Sequence, residues 1–81
     1  MNIRIRYFAA AAEAAGCEEE ELSIGAGATL GALKLVLEER YGPDMQRVLN
    51  SGSFLIDQIV RRDPDCPLSD HVDVLPPFAG G

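Results

Sequence analysis

With 47% apolar and 25% charged residues, this 81-residue chain reads as one small globular domain and not as a disordered segment. Thirteen Asp and Glu against seven Lys and Arg give a net charge of −6, a field that repels a nucleic-acid backbone and suits a basic patch on a protein partner. A chain of this length buries only about 60–65% of its unfolded surface, enough for one apolar core but not for a deep catalytic cleft.

The chain opens on an alternating segment, Asn2 to Phe8, with Ile3, Ile5 and Tyr7 on one parity and Asn2, Arg4 and Arg6 on the other. Period two predicts a half-buried strand. Ala9 to Ala15 is a short run of strong helix formers closed by Gly16. Glu18 to Ile24 predicts a second strand with Leu22 and Ile24 inward. Its four consecutive glutamates either blunt an exposed sheet edge or form an acidic partner surface. Gly25-Ala26-Gly27 breaks the chain, and Thr29 caps a helix from Leu30 to about Tyr41 with Leu30, Leu33 and Leu37 on its apolar stripe. Gly42-Pro43 stops that helix, and Asp44 caps a further short turn carrying Met45, Val48 and Leu49. Asn50-Ser51-Gly52 reads as a loop, followed by short strands at Phe54 to Ile56 and Ile59 to Arg61. Asp63-Pro64-Asp65 is turn chemistry, and His71 to Leu75 alternates once more with Val72 and Val74 inward. One helical stripe across a mixed sheet predicts a two-layer α+β domain.

The body offers no catalytic set. His71 stands without a Ser or Cys nucleophile at a recognisable spacing, and no His/Cys spacing suits zinc, so no metal is expected. Cys17 and Cys66 lie too far apart for a CxxC pair and read as free thiols of a reducing compartment. No run approaches the roughly 20 apolar residues that span a bilayer, and the Ala-rich stretch after Arg4 and Arg6 is a poor signal peptide. A cytoplasmic protein without a membrane association is the expectation.

The final segment reads differently. Residues 1–75 form the domain and 76–81 a projecting tail. Pro76 and Pro77 lack amide donors and end strand pairing. Six extended residues reach about 20 Å. Gly80 and Gly81, preceded by the small Ala79, thread a narrow channel and leave the terminal carbonyl carbon unhindered. The free carboxylate is a poor electrophile until another enzyme activates it, for instance as an acyl-adenylate that then accepts sulfur, a thiol or an amine. Phe78 either folds back onto the body or anchors the tail in a partner groove. Phe8 and Leu75 share the outward parity of their strands. If those strands are adjacent and parallel, the two side chains meet near the tail exit as a docking patch; a bulge at either strand end would break that parity.

Ile5-Arg6-Tyr7-Phe8-Ala9, Gly27-Ala28-Thr29-Leu30 and the ending Leu75-Pro76-Pro77-Phe78-Ala79-Gly80-Gly81 together resemble the MoaD/ThiS sulfur carriers, the small subunits of molybdopterin synthase above all. The resemblance implies a ubiquitin-like β-grasp fold, a mixed sheet packed by one main helix. It implies a non-catalytic carrier whose Gly81 carboxylate is adenylated, at the expense of ATP, by a ubiquitin-activating-enzyme-like adenylyltransferase. A sulfurtransferase would supply persulfide sulfur to make a thiocarboxylate. Gly80 and Phe78 would then enter the large subunit of molybdopterin synthase, where the sulfur passes to a pyranopterin precursor. No cofactor would be bound by the chain itself. A carrier for thiazole or cysteine synthesis, a ubiquitin-like modifier that joins Gly81 to lysines, and an unreactive interaction module remain open. Asp57-Gln58 departs from the Asn-Gly-like turn of many members, which puts the shape of that hairpin in question.

Overall fold

The computed structural model describes residues 1–77. Its elements run β1 (Asn2–Tyr7), α1 (Ala10–Ala15), β2 (Glu19–Ser23), α2 (Leu30–Tyr41), α3 (Pro43–Ser51), β3 (Ser53–Ile56), β4 (Ile59–Arg61) and β5 (His71–Leu75). The strands form one mixed sheet in the order β2-β1-β5-β3-β4. β1 pairs antiparallel with β2 and parallel with β5; β3 pairs antiparallel with both β5 and β4. The first and last strands of the chain therefore lie side by side in the middle of the sheet.

Alternation decides the faces. Ile3, Ile5 and Tyr7 of β1, Val72 and Val74 of β5, and Phe54 and Ile56 of β3 are all buried. They meet Leu30, Leu33 and Leu37 of α2, Met45 and Leu49 of α3 and Ala11 of α1 in one apolar cluster. Each Val, Leu, Ile, Phe or Met side chain among them contributes about 1.5–3 kcal/mol by leaving water. The stripe expected for α2 is the one observed, although Leu35, on its far side, is 63% exposed.

The start of α2 is held from two directions. The Ala32 amide donates to Thr29 Oγ1 at 3.4 Å, the cap expected from sequence. The Leu30 and Gly31 amides, which have no partner inside the helix, donate to the carbonyls of Cys66 at 2.8 Å and Pro64 at 2.9 Å. The loop that supplies them is the predicted Asp63-Pro64-Asp65 turn, closed by the Asp65 amide on Asp63 Oδ1 at 3.0 Å.

Three local expectations are corrected. α3 begins at Pro43 with Gly42 as its N-cap, so Asp44 sits in the first turn and does not cap it. Proline suits that first position because its missing N–H would be unpaired there anyway. α3 also continues through Asn50 and Ser51, expected as loop, because Met45, Val48 and Leu49 supply an apolar face that outweighs the weak helix propensity of those two residues. Ala9, expected inside α1, precedes it at φ 51°.

Candidate functional site

The end of β5 is the root of the tail, and the sequence around it builds a close seat. β5 is paired on both sides, with β1 as far as Val74 and with β3 as far as Leu75. Beyond Leu75 come Pro76 and Pro77, which cannot donate to either neighbour, and pairing stops there as the sequence predicts. On the β1 side the Phe8 amide donates to the Val74 carbonyl at 3.2 Å. On the β3 side Gly52 lies directly against the root: a Cβ there would stand 2.1 Å from the Leu75 carbonyl oxygen and 2.9 Å from that of Val48. Gly52 has φ −93°, an ordinary value, so room and not conformation is what requires glycine. Ser53, next in the chain, pairs with Leu75, is 2% exposed, and its hydroxyl has no hydrogen-bond partner among the described residues.

The parallel pairing of β1 and β5 on which the Phe8–Leu75 expectation depends is present. Phe8 and Leu75 are both half-buried, and the Arg6 guanidinium sits over the Phe8 ring, 5.3 Å from its centroid. A hollow of about 510 Å³ opens beside Phe8, with Arg6, Ala9, Ala12 and Glu19 in its wall. The large apolar side chains that are exposed among the described residues stand elsewhere, at Met1, Leu35, Ile59 and Val60. Phe78, Ala79, Gly80 and Gly81 lie outside the described residues.

Sequence reading missed the Gly52–Ser53 seat, whose only signal is a glycine immediately before a strand. It also missed the role of Glu20. β2 is an edge strand, as the glutamate run suggested, and Glu19 and Glu21 face solvent, where both pair with Arg4 at 3.4 and 3.6 Å. Exposed pairs of this kind contribute at most about 1 kcal/mol. Glu20 shares the parity of Leu22 and points inward, its side chain only 15% exposed. It accepts hydrogen bonds from the phenols of Tyr7 and Tyr41 and an ion pair from Arg40 at 3.5 Å. The two rings meet edge to face, centroids 6.1 Å apart. Burial, reinforced by the bond to Glu20, pushes the Tyr7 phenol far above its ordinary value. Burial and the same carboxylate raise Tyr41 as well, against the opposing bond from Arg40. This cluster ties β2, β1 and α2 together at the sheet edge.

His71 is exposed on β5, and the Ser69 hydroxyl donates to its backbone carbonyl at 3.0 Å, so the ring itself is not oriented by that contact. Cys17 is half-buried and Cys66 buried, both as free thiols. Among the described residues no three His, Cys, Asp or Glu are placed to hold a metal ion, and no helix is long and apolar enough to cross a membrane.

Comparison with known proteins gives this geometry its context. The small archaeal modifier protein 1 from Methanosarcina acetivorans, a solution structure, is 26% identical, with a TM-score of 0.77 over 99% of this chain and 96% of that one. A molybdopterin converting factor subunit 1 from Pyrococcus furiosus is 21% identical, TM-score 0.77, over 96% and 99% of the two chains. A complex of subunits 1 and 2 of molybdopterin-converting factor from Helicobacter pylori matches at 20% identity and a TM-score of 0.69 over the whole of both chains. These likenesses establish the ubiquitin-like β-grasp fold, an α+β domain with a mixed sheet and helices on one face. No curated protein matches the chain. The model of the ThiS family matches residues 5–81, from the first strand through the Gly-Gly end, and the chain belongs to that family of β-grasp carriers and modifiers.

Proposed function

We propose that this protein is a co-substrate, in which residues 1–75 are a recognition body and residues 76–81 present the Gly81 carboxylate to an adenylating partner. The observation that carries this reading is the family match through Gly81, on a chain whose tail springs from a strand held on both sides. A carboxylate at neutral pH resists nucleophiles because it is already anionic. Adenylation with ATP by a ubiquitin-activating-enzyme-like adenylyltransferase replaces one oxygen's charge with a good leaving group. Gly80 and Ala79 keep the path to that carbon narrow, and Phe78, Leu75 and Phe8 supply apolar contacts for the partner.

One adenylate serves two acceptors. An amine gives an amide, which is the chemistry of a ubiquitin-like modifier. The 26% identity to a small archaeal modifier along nearly the whole chain supports this fate. Sulfur from a sulfurtransferase gives a thiocarboxylate. In that second reading the tail enters the large subunit of molybdopterin synthase and delivers sulfur to a pyranopterin precursor, or serves thiazole or cysteine synthesis. Membership of the ThiS family supports it. The likenesses to molybdopterin-converting subunits, at 20 and 21% identity, speak for the fold alone.

Intact-mass measurement of the protein isolated from its own cells separates the fates. Conjugates on larger proteins, absent when Gly81 is deleted, mark the modifier; one sulfur in place of one terminal oxygen marks the carrier. Deletion of Gly81 that left both products intact would end the co-substrate reading.

A further inference from the structure

Of the seven basic side chains six are arginines, and Lys34 is the only lysine in the chain. Guanidinium groups keep their protons at any physiological pH and do not act as amine nucleophiles. A protein that carries an activated carboxylate is thus almost free of side-chain amines that could consume it. The other amine, at Met1, is engaged: it donates to the Ile24 carbonyl at 2.9 Å, where the first strand meets the end of β2. Lys34 is not so engaged. It lies in the second turn of α2, half-buried, and among the described residues its ammonium makes neither an ion pair within 4 Å nor a side-chain hydrogen bond. A lysine of intermediate exposure lays its stem along the helix surface while the head stays in water. The helix beneath it is firmly held, by the Thr29 cap, by the loop carbonyls of Pro64 and Cys66, and by the buried Leu33 next to it in sequence.

We infer that Lys34 is the single acceptor site on this protein for acyl transfer from the Gly81 end of a second copy, so that self-conjugation produces one linkage only. The inference rests on the amine-acylating fate proposed above. In the step, Nζ gives up a proton to solvent and attacks the Gly81 carbonyl carbon of the adenylated copy. A C–N bond forms, the bond from that carbon to the phosphate-bound oxygen breaks, and AMP leaves with the electron pair. The joined pair retains one free Lys34 and one free Gly81, so further additions preserve both linkage and direction. The acceptor sits in the helical layer, away from the outer face of the sheet, which therefore remains open on every copy in the series.

The test uses the full chain with Gly81 converted chemically to an alkyl thioester, at mildly alkaline pH and high protein concentration. Covalent dimer is read on denaturing gels and its joint by peptide mass mapping. The expected result is a joint between Gly81 and Lys34, with Lys34→Arg reducing dimer at least tenfold. A dimer undiminished by Lys34→Arg, or a joint at the Met1 amine, overturns the inference. So does the absence of dimer while added glycinamide, a free small amine, consumes the same thioester. Because the thioester bypasses the adenylating partner, this outcome is independent of whether that partner activates Gly81, which ATP–pyrophosphate exchange measures separately.

Discussion

Gly52 and the Leu75 carbonyl oxygen stand so close that a single methyl group cannot come between them. Gly52→Ala is therefore expected to lower stability by about 2 kcal/mol, the range of an overpacked site that moves backbone. Gly25 has open space where its Cβ would be. Gly25→Ala should instead be neutral or stabilising by about 0.5 kcal/mol, through the unfolded chain. Denaturant melts of the two variants check the contrast, and equal effects would mean that the tail root has no special seat.

Glu20 differs from its neighbours in the glutamate run by what it holds. Both phenols donate to Oε2 of Glu20 while Arg40 faces Oε1, so Glu20→Gln weakens the two phenol bonds by removing the charge and turns an amide N–H toward the guanidinium, and is expected to cost about 2 kcal/mol. Glu21→Gln, at a side chain 66% exposed, should change stability by less than about 0.5 kcal/mol. Thermal melts under identical buffer decide it; similar losses in both would return Glu20 to an ordinary solvated edge.

The raised Tyr7 phenol fixes the sign of the alkaline limb of stability. Below about pH 10, the ordinary tyrosine value, folded and unfolded chains both keep the proton and the contribution is fully present. Above it the unfolded chain ionises while the folded phenol does not, so the unfolded state binds fewer protons and stability falls as pH rises. Tyr7→Phe is expected to be less stable at pH 7 and to lose less from pH 10 upward. Urea midpoints across that range measure it, and parallel slopes for the two proteins would contradict the assignment.

How much of this was legible in the residues depends on whether contrast or contact carries the signal. Ile3, Ile5 and Tyr7, and Val72 and Val74, alternate with polar neighbours, and Leu30, Leu33 and Leu37 recur at helical spacing, so their faces follow from spacing. The Thr29 cap and the Gly42-Pro43 break follow from local backbone chemistry. Glu18 to Glu21 offers four identical side chains, so nothing in the run distinguishes the inward one; Glu20 is selected by tyrosines 13 and 21 residues away. The Gly52 seat is likewise made by a strand end 23 positions further on. The Phe8–Leu75 parity was readable, but the Arg6 guanidinium over the Phe8 ring was not.

The hairpin shows a local conflict resolved by its strands. Ile56 pairs with Ile59, which leaves Asp57 and Gln58 as a two-residue loop, at φ 53° and 66°. Both must be left-handed to match the twist of the strands, although glutamine carries a Cβ penalty there. Gln58→Gly is expected to stabilise the protein by about 0.5–1 kcal/mol, and a drop in the melting temperature would show that the Gln58 side chain is needed.

For the tail, Phe78→Ala is expected to weaken binding of the adenylating partner by about 2 kcal/mol, close to thirtyfold in Kd. Calorimetric titration of the two proteins measures it. Unchanged affinity would place Phe78 outside the contact.

The parallel contact between β1 and β5 has a mechanical meaning. A partner that draws Gly81 into a channel pulls along β5, and the hydrogen bonds to β1 and β3 lie across that pull, so they resist together in shear and not one at a time. Local openings should begin at the edge strands β2 and β4, leaving β5 among the slowest amides to exchange. The strand that leads to the Gly-Gly end is thus held from both sides, and a partner can tug on that end without loosening the body it has to recognise.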